Sequence, residues 1–404
     1  KTQSDYSNQH KRTVGDFIDD VSEMGGSAAV ADRKMWAEMK MSPTDLADVS
    51  GYTYTYLMNG QAPDGNWTGI FKPGEKIRLR FINASAMTYF DVRIPGLKMT
   101  VVAADGQHVK PVSVDEFRVA VAETYDVIVE PDSEQAYTVF AQSMDRTGYA
   151  RGTLAVQEGL SAPVPSPDPR PLIAMGDMGM DHGSMAGMDQ GNMAGMDHGS
   201  MQGGMAGMDH SQMAGMDHSG MAGMAGMAGN MQAHPASETN NPLVDMQTMT
   251  PTHKLDDPGI GLRDNGRRVL TYSDLRSTFP DPDGREPSRT IELHLTGHME
   301  KFSWSFDGIK FSDAEPLRLK YGERVRITLV NDTMMTHPIH LHGMWSDLED
   351  ANGNFLVRKH TIDMPPGSKR SYRVTADALG RWAYHCHLLL HMEMGMFREV
   401  RVDE

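Results

Sequence analysis

Short stretches of alternating apolar and polar residues begin at Tyr52 and recur to about residue 157. Turn-forming pairs such as Asn59-Gly60 and Asp105-Gly106 separate them. Because alternate residues of a strand face opposite sides of a sheet, this period predicts strands, and their close spacing predicts an antiparallel sandwich or barrel. The stretches are YTYTYLMNG, KIRLRFIN, MTYFDVRI, MTVVAADG, EFRVAVA, YDVIVE and YTVFAQS.

The same alternation returns from about residue 265 and continues to residue 404. Within this second block, YGERVRITLVND is similar to PGEKIRLRFINAS of the first block. We therefore predict an all-β chain in which one sandwich plan occurs twice, over residues 51–160 and 265–404.

Two segments lie outside the predicted sandwiches. Residues 1–50 are polar with short helical patterns, which predicts a partly helical N-terminal extension. Residues 161–264 begin with a proline-rich spacer and contain a low-complexity tract, 175–231, with 16 Met and 4 His among its 57 residues. The tract has no aromatic residue, so we expect it to be a disordered linker when no ligand is bound.

Repeated MDH units give this tract several chances to hold Cu(I), because thioethers are soft ligands that prefer that ion. The alternative is a flexible linker whose methionines have no role. The candidate Cu(I) ligands in these units are Met180, His182, Met196, His198, Met208, His210, Met216 and His218.

Composition narrows the function classes. The formal net charge of −16 argues against a nucleic-acid partner, which requires a basic surface. The chain has no run of 18 apolar residues, so we predict no membrane span. No charged-then-apolar leader follows Lys1, and we expect any export signal to lie outside these residues. A single Cys excludes an internal disulfide.

Two histidine motifs, HPIHLH and HCHLLLHMEMGM, occur near the end of the chain. Strand alternation places His340 and His342 on one face of the first motif. In the second motif, His385 and His387 share a face while Cys386 points to the other. One stretch can therefore serve two metal sites.

A thiolate, two imidazoles and a weak thioether are the ligands of a blue-copper centre. His337, Cys386, His391 and Met396 can supply that set. Zinc competes for Cys and His ligands, but the lone Cys and the thioether favour copper. The alternative without a metal is a buried Cys among hydrogen-bonded histidines.

These motifs resemble the two C-terminal copper motifs of multicopper oxidases. The chain as a whole resembles the copper-resistance, CopA-type subgroup, which has a Met-rich insert before its last domain. The resemblance also covers NGQAP, RFINASAMTYFDVRIPGLKMTVVAADGQ and ETYDVIVEP. It implies cupredoxin-like Greek-key β-sandwich domains, with residues 51–160 lacking copper ligands and residues 265–404 binding copper.

The resemblance implies a role for each ligand. His337, Cys386, His391 and Met396 would hold type 1 copper. His340 would bind type 2 copper, and type 3 copper would be bound by His342, His385 and His387. Cys386 with its two neighbours would then carry electrons from type 1 copper to a trinuclear cluster that reduces dioxygen to water. The implied substrates are Cu(I) and phenols, and the implied setting is the periplasm, with copper-resistance proteins as partners.

Two departures from the family pattern stand out. The family's trinuclear cluster uses eight His, four of them from HxH motifs in a first domain, and this chain has no further HxH motif. We expect the first domain to be absent from this polypeptide, so that type 2 and type 3 copper bind only if that domain is supplied. For this chain alone, a non-enzymatic copper-sequestering protein is the favoured alternative. In addition, Met392 stands where related oxidases carry a proton-delivering Glu, and Glu393 is the next residue.

For two smaller sets of residues the sequence does not decide the role. Met344, Met364, Met392 and Met394 lie near the type 1 ligands in sequence, and they could form a Cu(I) entry site or fill the core around the copper. His294 and His298 are four residues apart and could bind a ligand.

Overall fold

The computed structural model describes residues 12–39, 41–180 and 231–404. The chain begins with two helices, α1 (Val14–Met24) and α2 (Gly26–Glu38). Thr13 caps α1, since its hydroxyl accepts a hydrogen bond from the Asp16 amide and the Asp16 carboxylate accepts one from the Thr13 amide. Among the described residues, none of the helices is both long and apolar enough to cross a membrane.

The first sandwich consists of two sheets. One has the strand order β1-β9-β8-β3-β6 and the other has the order β2-β7-β4-β5. Phe117, Val127 and Phe140 are fully buried in its core. The strands are β1 (Trp67–Ile70), β2 (Ile77–Ile82), β3 (Phe90–Arg93), β4 (Met99–Ala104), β5 (Gln107–Val114), β6 (Glu116–Val119), β7 (Thr124–Val129), β8 (Tyr137–Ser143) and β9 (Tyr149–Ala155).

The second sandwich also consists of two sheets, with the orders β11-β10-β13-β18-β15-β16 and β12-β20-β19-β14-β17. A short helix, α3 (Leu389–Glu393), comes directly after β19. The two sandwiches confirm the all-β prediction. The strands are β10 (Arg289–His298), β11 (Ser303–Phe306), β12 (Leu317–Lys320), β13 (Arg324–Asn331), β14 (His337–Leu341), β15 (Ser346–Glu349), β16 (Phe355–Lys359), β17 (Thr361–Met364), β18 (Lys369–Thr375), β19 (Gly380–Cys386) and β20 (Phe397–Asp403).

The described parts of the segment between the sandwiches contribute buried residues to the folded protein. Ile173 is buried and its amide donates to the carbonyl oxygen of Pro43 at 2.9 Å. After the Met-rich tract, Thr248 and Leu262 are buried as well. These flanks belong to the folded protein, because buried side chains and backbone hydrogen bonds hold them in place. Disorder was predicted for 175–231, and this is wrong at the start of the tract, since Met175–Met178 form a 3-10 turn in which Asp177 and Met178 are buried. Residues 181–230 of the predicted linker lie outside the described residues.

A buried lysine joins the two sandwiches. The Lys359 ammonium, at the end of β16, lies 2.9 Å from Asp105 and 3.1 Å from Glu123 of the first sandwich. All three side chains are shielded from solvent. Asp105 also accepts hydrogen bonds from the backbone amides of His360 and Thr361 at 3.1 and 3.2 Å. The orientation of the sandwiches is therefore fixed by charge as well as by apolar contact.

We expect Lys359→Met to lower the free energy of unfolding by about 3–5 kcal/mol, because it leaves two buried carboxylates without their cation. Urea unfolding followed by circular dichroism measures this loss. The matched control is Lys76→Met, since Lys76 lies 3.2 Å from Glu130 and both side chains are largely exposed. The control should change stability by no more than about 1 kcal/mol. Equal losses in the two variants would contradict an anchoring role for Lys359.

Candidate metal centre

Three side chains from separate elements bring their ligand atoms together. His337 begins β14, Cys386 ends β19 and His391 lies in α3. The two Nδ1 atoms of the histidines are 3.1 Å apart. The Cys386 Sγ lies 3.5 Å from the His337 Nδ1 and 3.8 Å from the His391 Nδ1. All three residues are fully buried. A transition-metal ion that is bonded to N and S ligands at about 2.0–2.3 Å would fit within such a triangle.

Met396 is tied to the same ligands through its backbone. Its carbonyl oxygen accepts from the Cys386 amide at 3.1 Å, and its amide donates to the His391 carbonyl oxygen at 3.0 Å. Its side chain is fully buried. The role of Met396 as the weak thioether ligand stays a prediction.

The outer nitrogen of each histidine is fixed by a hydrogen bond. His391 Nε2 donates to Asp48 Oδ2 at 2.7 Å, and His337 Nε2 donates to the Thr333 hydroxyl at 2.7 Å. These bonds direct the Nδ1 atom of each ring at the cysteine. Partners of this kind orient metal-ligating histidines and raise their basicity.

Aromatic rings shield the triangle from water. Trp304 stacks on the His391 ring with centroids 3.9 Å apart, and Phe302 meets the same ring edge-on at 6.1 Å. Burial raises the pKa of the Cys386 thiol well above its usual range. A metal ion that binds here must therefore displace the thiol proton.

Four further histidines form a second cluster around the pairing of β14 with β19. In this pairing His340 lies opposite His385. The ring centroid of His340 is 4.6 Å from that of His342 and 5.7 Å from that of His387. The His342 and His385 Nε2 atoms are 3.1 Å apart. The structure thus brings together all four histidines that the family resemblance assigns to type 2 and type 3 copper.

Burial keeps the imidazoles of His340 and His385 neutral, as metal ligands must be. Burial is the main cause that lowers the pKa of His340 and of His385 to about 4. His340 Nδ1 donates to the His360 carbonyl oxygen at 2.6 Å, which directs its Nε2 into the cluster. Within the described part of the chain, the buried His387 Nδ1 has no hydrogen-bond partner, which fits a metal ligand.

Sequence reasoning misses the residues that support these ligands. Asp48 belongs to a polar extension without a motif, and Trp304 carries no signal beyond its size. Thr333 lies four residues before His337 in a stretch of ordinary polar residues. His360 belongs to no histidine motif, yet its ring centroid is 5.3 Å from that of His340. Only the three-dimensional fold could identify them.

The methionines predicted to bind Cu(I) occupy different environments. Met364 is fully buried on β17, opposite His337 in the strand register, and Met344 is buried. Met392 is half-buried in α3, while Met394 is exposed. Their grouping as one site stays a prediction. Of the residues predicted in the tract, Met180 is described and half-buried, and the others lie outside the described residues.

A different methionine set lies beside the triangle. Asp48, Met87, Met144 and Met335 contribute to the lining of a cavity of about 10 Å³ between the two sandwiches. This volume has room for about one water-sized particle. Met87 also contacts α3 directly, because its sulfur accepts a hydrogen bond from the Leu390 amide at 3.2 Å.

Comparison with known proteins gives two family matches and several close relatives. Models described as multicopper oxidase match residues 30–159 and 284–404. Copper resistance protein A of Pseudomonas syringae pv. tomato is 80% identical over 418 residues, covering 100% of this chain and 68% of that protein. Copper resistance protein A of Escherichia coli is 76% identical, with coverage of 100% and 68%. The chain thus spans about two thirds of the length of these relatives.

Solved structures give the same architecture at low identity. Fet3p, described as a multicopper oxidase that functions in iron import, aligns with a TM-score of 0.53 and 16% identity over 84% of this chain and 57% of that one. A laccase mutant from B. aclada aligns with a TM-score of 0.50 and 15% identity, over 83% and 53% of the two chains. At this identity the likeness shows the fold alone.

We expect Asp48→Asn to lower the affinity for Cu(II) at the His337–Cys386–His391 triangle by about 10–100-fold, because it removes the negative charge that fixes and polarises His391. Competition with a chelator, followed by the visible absorption of copper bound to thiolate, measures the affinity. Asp64→Asn, at an exposed position of the same chain, is the control. If both variants bind copper as the parent does, Asp48 has no part in the centre.

Proposed function

Because the chain belongs to the multicopper oxidase family, we propose that it is the electron-accepting part of a copper-resistance oxidase. Its substrate is Cu(I), with phenols as a second substrate class, and dioxygen is the final acceptor. Copper is the cofactor of this family. When bound, it supplies a one-electron acceptor at the cysteine and a site for dioxygen reduction at the histidine cluster.

The observation that carries the proposal is the position of Cys386 between two clusters. Its Sγ faces His337 and His391, while the residues on either side of it, His385 and His387, face the other histidines. The amide of His387 donates to the Pro338 carbonyl oxygen at 2.7 Å, which holds the two motifs in register. A single backbone stretch therefore connects both sets of ligands covalently, without a gap for electrons to cross.

The cavity beside the triangle supports Cu(I) as the substrate. Met87, Met144 and Met335 are buried thioethers at this cavity, and thioethers prefer Cu(I) to divalent ions. Asp48 contributes to the same lining and bonds His391 directly. An ion held there would be one side chain away from a ligand of the triangle. We propose that Cu(I) enters at this cavity. The described residues offer no comparable binding feature for phenols.

The Met-rich tract extends the proposal. Residues 181–230 contain 12 Met and 4 His, and we assign them the collection of Cu(I) before its oxidation. Such collection is useful in a compartment where copper arrives from outside the cell, so the proposed setting is the periplasm, with other copper-resistance proteins as partners.

Four more histidines are needed for the family's trinuclear cluster. The described residues supply His340, His342, His385 and His387. We assign the remaining ligands to sequence outside these 404 residues, in keeping with the 68% coverage of the copper resistance protein of P. syringae. The competing function is copper sequestration without turnover.

Oxygen uptake separates the two functions. The protein made from its complete coding sequence and loaded with copper should consume dioxygen when Cu(I) is supplied, and Cys386→Ser should reduce uptake to the background because the shared ligand is lost. His108→Gln, at an exposed position on β5, should leave uptake unchanged. Binding of Cu(I) without uptake by the parent protein would establish sequestration and overturn the oxidase. The same assay with a phenol tests the second substrate class.

The tract has its own test. Replacing residues 181–230 by a Gly/Ser segment of equal length should lower the number of Cu(I) ions bound per chain, while the absorption of copper bound to Cys386 stays unchanged. A chromogenic Cu(I) chelator measures the stoichiometry. In the control, Asn replaces Asp181, Asp197, Asp209 and Asp217, so every thioether and imidazole is retained. An unchanged stoichiometry in the Gly/Ser variant would remove the collecting role.

A further inference from the structure

A second group of metal-binding side chains lies outside both histidine motifs. His234 and Glu238 belong to the segment immediately after the Met-rich tract, and Glu238 ends a short 3-10 turn. His294 lies on β10, and Asp332 is the residue directly after β13. Since β10 and β13 are paired in parallel, with His294 opposite Val330, the sheet itself places His294 close to Asp332.

The four side chains converge on one point. The carboxylate oxygen Oδ2 of Asp332 is 2.6 Å from His294 Nδ1 and 3.2 Å from His234 Nδ1. Glu238 Oε2 is 3.2 Å from His234 Nδ1, and Glu238 Oε1 is 3.7 Å from His294 Nδ1. One ligand atom from each residue lies within 4.8 Å of all the others.

Outer hydrogen bonds hold the carboxylates and imidazoles in this orientation. His234 Nε2 donates to the Thr248 carbonyl oxygen at 3.0 Å, so its Nδ1 faces inward. Asp332 Oδ1 accepts from the Thr248 amide at 2.7 Å. Glu238 Oε2 accepts from the Gln247 side-chain amide at 2.9 Å. Metal ligands in proteins are typically supported in this way.

One atom in the cluster lacks a partner. Glu238 is 3% exposed, and its Oε1 forms no hydrogen bond with any described residue. A buried carboxylate oxygen without a partner costs free energy. This oxygen lies 3.7 Å from His294 Nδ1, so a cation placed among the four ligands would satisfy it.

The two carboxylates favour the charged form of both imidazoles. Burial opposes the charged form of His234, but the hydrogen bonds from its ring to Asp332 and Glu238 outweigh burial and raise its pKa to about 10. The pKa of His294 is raised as well, against burial, chiefly by its hydrogen bond to Asp332.

We propose that His234, Glu238, His294 and Asp332 form a separate site for a divalent first-row transition-metal ion of the Zn²⁺ or Cu²⁺ class. Two nitrogens and two oxygens suit such ions, and the absence of sulfur among these four residues discriminates against Cu(I). Four protein ligands are typical of a structural site. The ion would clamp the segment after the Met-rich tract onto the second sandwich, and this does not depend on oxidase activity.

Zinc titration of the full chain tests the site. In calorimetry with Zn²⁺ alone, Glu238→Gln should bind one equivalent fewer than the parent, or bind it at least about 100-fold more weakly, because a ligand is lost and loss of an outer partner alone costs 10–100-fold. His298→Gln is the matched control. His298 is on the same strand and lies 3.4 Å from Asp245, but it is not part of the group of four. A parallel titration with Cu²⁺, followed by electron paramagnetic resonance, determines which ion binds more tightly.

Hydrogen exchange supplies a readout that is local to the clamp. Zn²⁺ should slow amide exchange over residues 231–250 in the parent and in His298→Gln, but not in Glu238→Gln. His234→Gln is the second variant if Glu238→Gln does not fold, since His234 is only half-buried. Equal zinc equivalents and equal protection in the parent and the folded ligand variants would overturn the site and leave a buried ion-pair network.

Discussion

The antiparallel pairing of β14 with β19 is the contact on which both histidine clusters depend. Its register sets Ile339 opposite Cys386 and His340 opposite His385. Because neighbouring residues of a strand face opposite sides, this register directs the thiol to one side of the sheet and the flanking imidazoles to the other. A slip of one residue would exchange the two sides and dismantle both clusters together.

The four predicted blue-copper ligands all lie in the second sandwich. The first sandwich and the N-terminal extension support that site from outside. They contribute Asp48 to His391, Met87 to the backbone of α3, and the carboxylates that neutralise Lys359. The metal centre therefore lies beside the interface between the sandwiches. The same interface therefore holds both the ion pairs of Lys359 and the hydrogen bond that orients His391.

Local periodicity in the sequence was sufficient to predict two sandwiches and the opposite directions of Cys386 and His385. It was insufficient where residues meet across long separations, as Asp48 and Thr333 show, because no local pattern encodes such a contact. His294 and His298 illustrate the same limit, since their spacing singled them out as a pair. The structure instead separates them, because His294 turns toward Asp332 while His298 lies beside Asp245.

The hydrogen bond between Asp48 and His391 joins residues that are 343 positions apart. Contacts of such separation form only after the intervening chain has been arranged, because the entropy of closing the loop must be overcome first. A metal ion that met the chain before the N-terminal extension had docked would find His391 without the carboxylate that orients it.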